Sequence, residues 1–171
     1  MVVAAVLLAK PISAFHKKQG VTAWDAAWLV FWAWSTHVLI DCFTTYGTQI
    51  FEPFSDQRVS LDIFYIVDPL FTLPLLVGLF ISLKKKVQSK ARQLAIYTGI
   101  IGASLYVGFG FFMQSWAKDE MSKSMQVSIK GGELVGVAPT SFNTLLWRGL
   151  IETDDGYYLS YWSPFDKEKS E

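Results

Sequence analysis

Apolar and polar positions along the chain alternate on the scale of whole helices, giving three long apolar runs and then a polar C-terminal third. The first run, residues 23–40, reads AWDAAWLVFWAWSTHVLI and approaches the roughly 20 residues that a bilayer core requires. Trp24, Trp28 and Trp32 recur in it every four residues and form one stripe, a surface for the lipid interface or for helix packing. The second run, residues 63–83, contains Asp68-Pro69 and Pro74, prolines expected to kink it in a way that membrane helices tolerate. The third, residues 94–113, carries Gly99, Gly102, Gly108 and Gly110, small residues that allow close helix packing. From Trp116 onward polarity returns. AKDEMSKSMQVSIKGGEL continues the helical pattern, while NTLLWRGLIETDDGYYLSYW places β-rich runs on both sides of Asp154-Asp155-Gly156, a hairpin signal.

The pattern predicts a mainly α, integral membrane protein with about three transmembrane helices and a small C-terminal α/β extramembrane lobe that contains a β-hairpin. The first segment, MVVAAVLLAKPISAFHKKQG, is apolar for nine residues before Lys10 and Pro11, too short to span a bilayer. It also lacks the basic start of a signal peptide. Two readings stand open for it: the last turns of a helix that begins upstream, or a short interfacial anchor. Three regions follow, namely 1–20 as this helix remnant and a linker, 21–116 as the transmembrane domain with the polar motif, and 117–171 as the outer lobe. The lobe ends in the tail DKEKSE, which is expected to fray.

Composition supports the membrane class: 51% of residues are hydrophobic, 16% aromatic and only 18% charged, with a mean hydropathy of +0.30. The formal net charge is zero, so no global field invites nucleic acid, and membrane lipids are the expected partners. A single cysteine, Cys42, excludes an intrachain disulfide framework and a cysteine-rich zinc site. Local charge sets the orientation. Lys84, Lys85, Lys86, Lys90 and Arg92 share a short loop with no acid and belong on the cytoplasmic side, as do Lys10, Lys17 and Lys18. His37, Asp41 and the C-terminal lobe then face outward, toward the periplasm in a bacterium.

The candidate chemistry lies where the first span ends. His37 and Asp41 are four residues apart, which on a helix puts imidazole and carboxylate on one face, about 6 Å apart at Cβ. Both are ordinary zinc ligands, and an ionisable pair in a membrane segment is costly enough to mark function. A structural hydrogen bond that locks two helices accounts for the spacing equally well. Thr44, Thr45, Tyr46, Gly47 and Thr48 follow; the glycine allows a sharp return, either as a re-entrant segment or as a cap over a polar cavity. Arg58 is the only basic residue between Lys18 and Lys84. It suits an anionic substrate group, though pairing with Asp56 or Asp62 is the simpler reading. Asp68 could orient His37, since metal-bound histidines donate their second N–H to such groups. Its position before Pro69 favours a helix N-cap. Asp25 beside Thr22 reads as an N-terminal helix charge. Cys42 points about 100° away from Asp41 around the helix, and His16, beside Lys17 and Lys18, is assigned to the opposite membrane face.

The string THVLIDCFTTYGTQIFEPFSDQRVSLDIFYIVDPLFTLPLL resembles the central signature of the YdjM-like family, the LexA-binding, inner-membrane-associated, metal-dependent hydrolases. It aligns Thr36-His37, Asp41, the threonine turn, Pro53-Phe54-Ser55, Arg58 and Asp68-Pro69-Leu70 in family order, and PTSFNTLLWR at 139–148 is similar to the family's C-terminal signature. The resemblance implies a bacterial or archaeal inner-membrane protein, a divalent metal such as zinc, and hydrolysis of an unidentified substrate. The His-x-x-x-Asp pair is also similar to a ligand pair in zinc phospholipase C-type enzymes. That likeness implies His37 and Asp41 as ligands of a metal that activates water toward a phosphoester or lipid-like substrate, with Arg58 placed by its chemistry to stabilise charge. Family members begin with further spans bearing Thr-His, Pro-Asp-x-Asp and Arg-x-x-x-His-Ser motifs, which are absent here. The chain therefore resembles the C-terminal part of a member, and weak metal binding without robust hydrolysis is expected of it alone. The competing class is a non-enzymatic scaffold or transport subunit in which the same polar cluster is structural.

Overall fold

A computed structural model of the protein describes residues 2–128 and 131–166. Most of the tail expected to fray, residues 167–171, lies outside the described residues. The chain divides into two units, Met1–Phe43 with Gly47–Ser60, and Thr44–Tyr46 with Leu61–Glu171.

In the first unit, α1 (Val2–Phe15) continues through Pro11 and is followed by a short 3-10 turn at Lys17–Gln19 and by α2 (Ala23–Phe43). The two helices pack together, with Ala5 and Ala9 of α1 and Ala26 of α2 buried. Small side chains suit a close helix contact that lacks a hydrophobic drive of its own. Thr22 begins α2 with a reciprocal cap: its N–H and hydroxyl donate to Asp25 Oδ2 at 3.0 and 2.6 Å, and Asp25 N donates back to Thr22 Oγ1 at 3.1 Å. Asp25 is thus the N-terminal helix charge that its position suggested. The tryptophan stripe is exposed along α2, Trp28 stacking on Trp32 at 6.2 Å.

In the second unit, α3 (Pro69–Leu83) packs on α4 (Lys90–Ser128). The contact is tight enough that a Cβ on Gly78 would stand 2.6 Å from Ala95 O, and one on Gly99 would stand 2.9 Å from Pro74 O. Gly102 faces Pro74 and Gly110 faces Ile63, whereas Gly108 faces open space. The glycines of the third apolar run therefore serve close packing, with Gly108 as the exception.

Two corrections to the sequence reading arise here. The second apolar run is helical only from Pro69, because Asp68 caps the helix and residues 63–67 stay non-helical. Among the described residues two helices are long and apolar enough to cross a membrane, Ala23–Phe43 and Lys90–Met125, and Pro69–Leu83 is a shorter apolar helix of 15 residues. The other correction is a strand that the sequence reading missed. Beyond α4, β1 (Glu133–Pro139), β2 (Trp147–Thr153) and β3 (Gly156–Trp162) form an antiparallel sheet in the order β1-β2-β3. The expected hairpin is β2–β3, closing from Thr153 to Gly156 around Asp154 and Asp155. Val135 bulges between Leu134 and Gly136 in β1. The sheet lies on the C-terminal half of α4 over a core of Met113, Ala117, Met121, Val137 and Trp147.

Candidate functional site

α2 places His37 and Asp41 one turn apart near its C-terminal end. Their side chains meet, His37 Nε2 lying 3.6 Å from Asp41 Oδ2, and the imidazole is 74% exposed. A lock between packed helices would bury the ring, whereas the His37 imidazole faces outward from the helix. Toward the N-terminus the same face of α2 forms an open apolar groove of about 720 Å³, lined by Leu29, Val30, Ala33, Trp34 and His37. His37 is its one titratable lining side chain among the described residues. Cys42 is buried and donates from Sγ to Val38 O at 3.3 Å, a bond within the helix. His16 stands at the start of the 3-10 turn, between α1 and α2.

The chain beyond the motif folds back on itself within the first unit. Thr48 and Val59 exchange backbone hydrogen bonds of 3.0 and 2.8 Å, and Gln49 Nε2 donates across the loop to Asp56 O at 3.0 Å. Gly47 has φ +65°, and a Cβ there would meet Val59 O at 2.5 Å, so both the turn and the close return require glycine. Arg58 Nη1 donates to Gly47 O at 3.3 Å. The arginine thus closes the base of this loop, in the same unit as His37 and Asp41.

Asp68 belongs to the second unit and is 2% exposed. Its Oδ1 accepts from Leu70 N at 2.9 Å and Phe71 N at 3.4 Å, the N-cap geometry favoured from sequence. Its Oδ2 accepts from the Tyr106 hydroxyl of α4 at 2.8 Å. Since that phenol has one proton and gives it to the carboxylate, the 2.9 Å contact between Tyr106 and Thr144 has Thr144 as donor. Thr144 is fully buried, and its carbonyl accepts from the indole of Trp147 at 2.9 Å. Neither Tyr106 nor Thr144 was among the residues picked from sequence; a tyrosine amid an apolar helix was the available signal.

A catalytic zinc takes three protein ligands and leaves a position for water. Among the described residues no group of three or more His, Cys, Asp or Glu side chains is placed to hold a metal ion. His37 and Asp41 fit two coordination positions. That is not a complete catalytic centre.

Two helices long and apolar enough to cross a membrane, together with small-residue helix packing, give the described residues a mainly helical class that suits a membrane protein. The profile of the YdjM inner membrane protein family matches residues 1–117, and the chain belongs to that family. The matched part includes His37, Asp41, Arg58, Asp68 and Tyr106; Thr144 and the sheet lie beyond it. No curated protein and no solved structure matches the chain.

Proposed function

We propose that the protein is a multi-pass inner-membrane protein of the metal-dependent hydrolase type, in which His37 and Asp41 supply two ligands for a divalent metal such as zinc. The observation that carries this reading is the 3.6 Å approach of the two side chains on an exposed helix face. In hydrolases of this kind the metal supplies a water of lowered pKa. Two ligands do not complete such a site, so hydrolysis needs a further ligand beside His37 and Asp41. The basic loop from Lys84 to Arg92 supports a cytoplasmic turn, and with it a periplasmic side for His37, Asp41 and the sheet. A lipid-like substrate agrees with the apolar groove that ends at His37. Arg58, which follows the motif within the same unit, is the cation we assign to its anionic group.

The second reading is a scaffold or transport subunit without turnover. It is favoured by one observation, the commitment of both Asp68 oxygens to the cap and to Tyr106. Metal analysis and turnover separate the two. The purified protein is expected to bind zinc or manganese weakly and to hydrolyse phosphoester and lipid substrates only when a further ligand completes the metal site. Absence of bound metal, unchanged in His37→Ala, removes the metal reading. No turnover under any completed condition leaves the scaffold.

A further inference from the structure

We propose that the loop of residues 140–146 is a lipid-contacting element that seats Phe142 and Leu146 in the bilayer interface beside the N-terminal end of α3. The inference rests on the membrane reading above and assigns a lipid contact within the C-terminal lobe. It starts from a shortfall in length. The 15 residues of α3 extend ~22 Å at the rise of an α-helix, against a hydrocarbon thickness of ~30 Å. The apolar sequence nevertheless continues upstream of the cap, where Ile66 and Val67 are exposed although non-helical. Apolar surface therefore continues past the start of α3, and the loop is tied there.

Two contacts fix its position. Thr144 joins the loop to Tyr106 and through it to Asp68, the residue that caps α3. The ring of Phe142 meets that of Tyr65, four residues before Pro69, edge-on with centroids 5.6 Å apart. The loop is also internally closed: Thr140 N donates to Leu146 O at 2.9 Å, and Asn143 Oδ1 accepts from Leu145 N and Leu146 N at 2.9 and 2.8 Å. Backbone groups satisfied in this way lower the cost of entering a poorly hydrated layer. No charged residue lies between Glu133 and Arg148 to oppose that entry.

Phe142 itself gives the sharpest sign. It has φ +65°, a conformation that a bulky residue rarely adopts, and yet it is 58% exposed. Its ring meets one tyrosine edge and otherwise stays largely outside the fold, so burial does not repay the strain; backbone strain of this kind clusters where a residue serves a functional contact. Leu146, at the other end of the closed loop, is 40% exposed. Together they present an uncharged apolar tip whose natural partner is the acyl–headgroup boundary, as for other interfacial segments.

The test uses the full chain with Cys42→Ser and one new cysteine at a time, Phe142→Cys, Leu146→Cys, Leu105→Cys on α4 or Asp155→Cys at the hairpin turn. Each is labelled with an environment-sensitive nitrobenzoxadiazole dye in phosphatidylcholine–phosphatidylglycerol vesicles containing doxyl-labelled lipid. Positions 142 and 146 are expected to show blue-shifted emission and quenching by doxyl lipid, as position 105 does, while position 155 stays water-like and is quenched by iodide. Water-like emission at 142 and 146, with 105 still quenched by lipid, overturns the proposal. Shielding of 142 and 146 from both quenchers also overturns it, in favour of a protein contact, and lipid quenching at 155 replaces the loop by the whole lobe. Loss of lipid quenching at 105 fails the membrane reading itself.

Discussion

Tyr106 donates a 2.8 Å hydrogen bond to the buried carboxylate of Asp68, joining residues 38 positions apart in the chain. The bond turns a helix cap into a three-way clamp, because the same phenol receives a hydrogen bond from Thr144 in the loop before β2. Helix start, α4 and the sheet region of the second unit are thereby held by one hydroxyl group.

Tyr106→Phe removes that hydroxyl and leaves Oδ2 of Asp68 buried with one partner fewer. A cost of about 1–3 kcal/mol is expected, the ordinary penalty for an unsatisfied buried polar group. Asp68→Ala should cost more, since the cap, worth about 1 kcal/mol, is lost as well. Reversible chemical unfolding in detergent micelles measures both. An unchanged midpoint in Tyr106→Phe would show that the clamp does not hold the fold.

Gly47→Ala and Gly20→Ala form a matched pair. Both glycines have positive φ, +65° and +75°, but an added Cβ meets Val59 O at 2.5 Å at position 47 and nothing within 4 Å at position 20. Gly20→Ala should therefore show only the left-handed strain of an alanine, about 1–2 kcal/mol. Gly47→Ala should exceed it and open the 48–59 loop to proteolysis. Equal losses in unfolding experiments would mean that the loop shifts to accommodate the methyl group.

The α3–α4 contact makes a similar contrast. Gly78→Leu drives a side chain toward Ala95 O, only 2.6 Å from the position of a Cβ, whereas Gly108→Leu faces open space. The first is expected to lose about 1–3 kcal/mol or more from overpacking and the second to be nearly neutral. Thermal unfolding of the two variants in the same detergent distinguishes them.

Much of this organisation is written in local signals. Asp68-Pro69 marks a helix start by chemistry that acts over three residues, and Asp154-Asp155-Gly156 marks a turn in the same way. The glycine spacing of the third apolar run was legible because close helix packing needs small residues at fixed intervals. The start of the second run was misplaced, because Ile63 to Val67 are as apolar as the helix that follows and hydrophobicity alone does not separate the two. β1 was missed since its bulge at Val135 breaks the alternation that reveals a strand. Of the candidate site, the His37–Asp41 geometry follows from helical spacing alone. Tyr106 and Thr144 were hidden because their partners lie 38 residues away in each case.

The His37 side chain is exposed and that of Asp41 partly so, and the pair should carry little of the fold. His37→Ala and Asp41→Ala are expected to change stability by no more than about 0.5 kcal/mol, as for other surface ion pairs. A larger loss in unfolding experiments would recast the pair as a structural lock.

The most direct measurement is a zinc titration by calorimetry of the detergent-solubilised protein beside His37→Ala and Asp41→Ala, all shown by circular dichroism to be equally folded. Weak binding at a single site in the parent protein, abolished in both variants, is the expected result. Binding that persists unchanged when either side chain is removed would contradict the assignment of the pair as metal ligands.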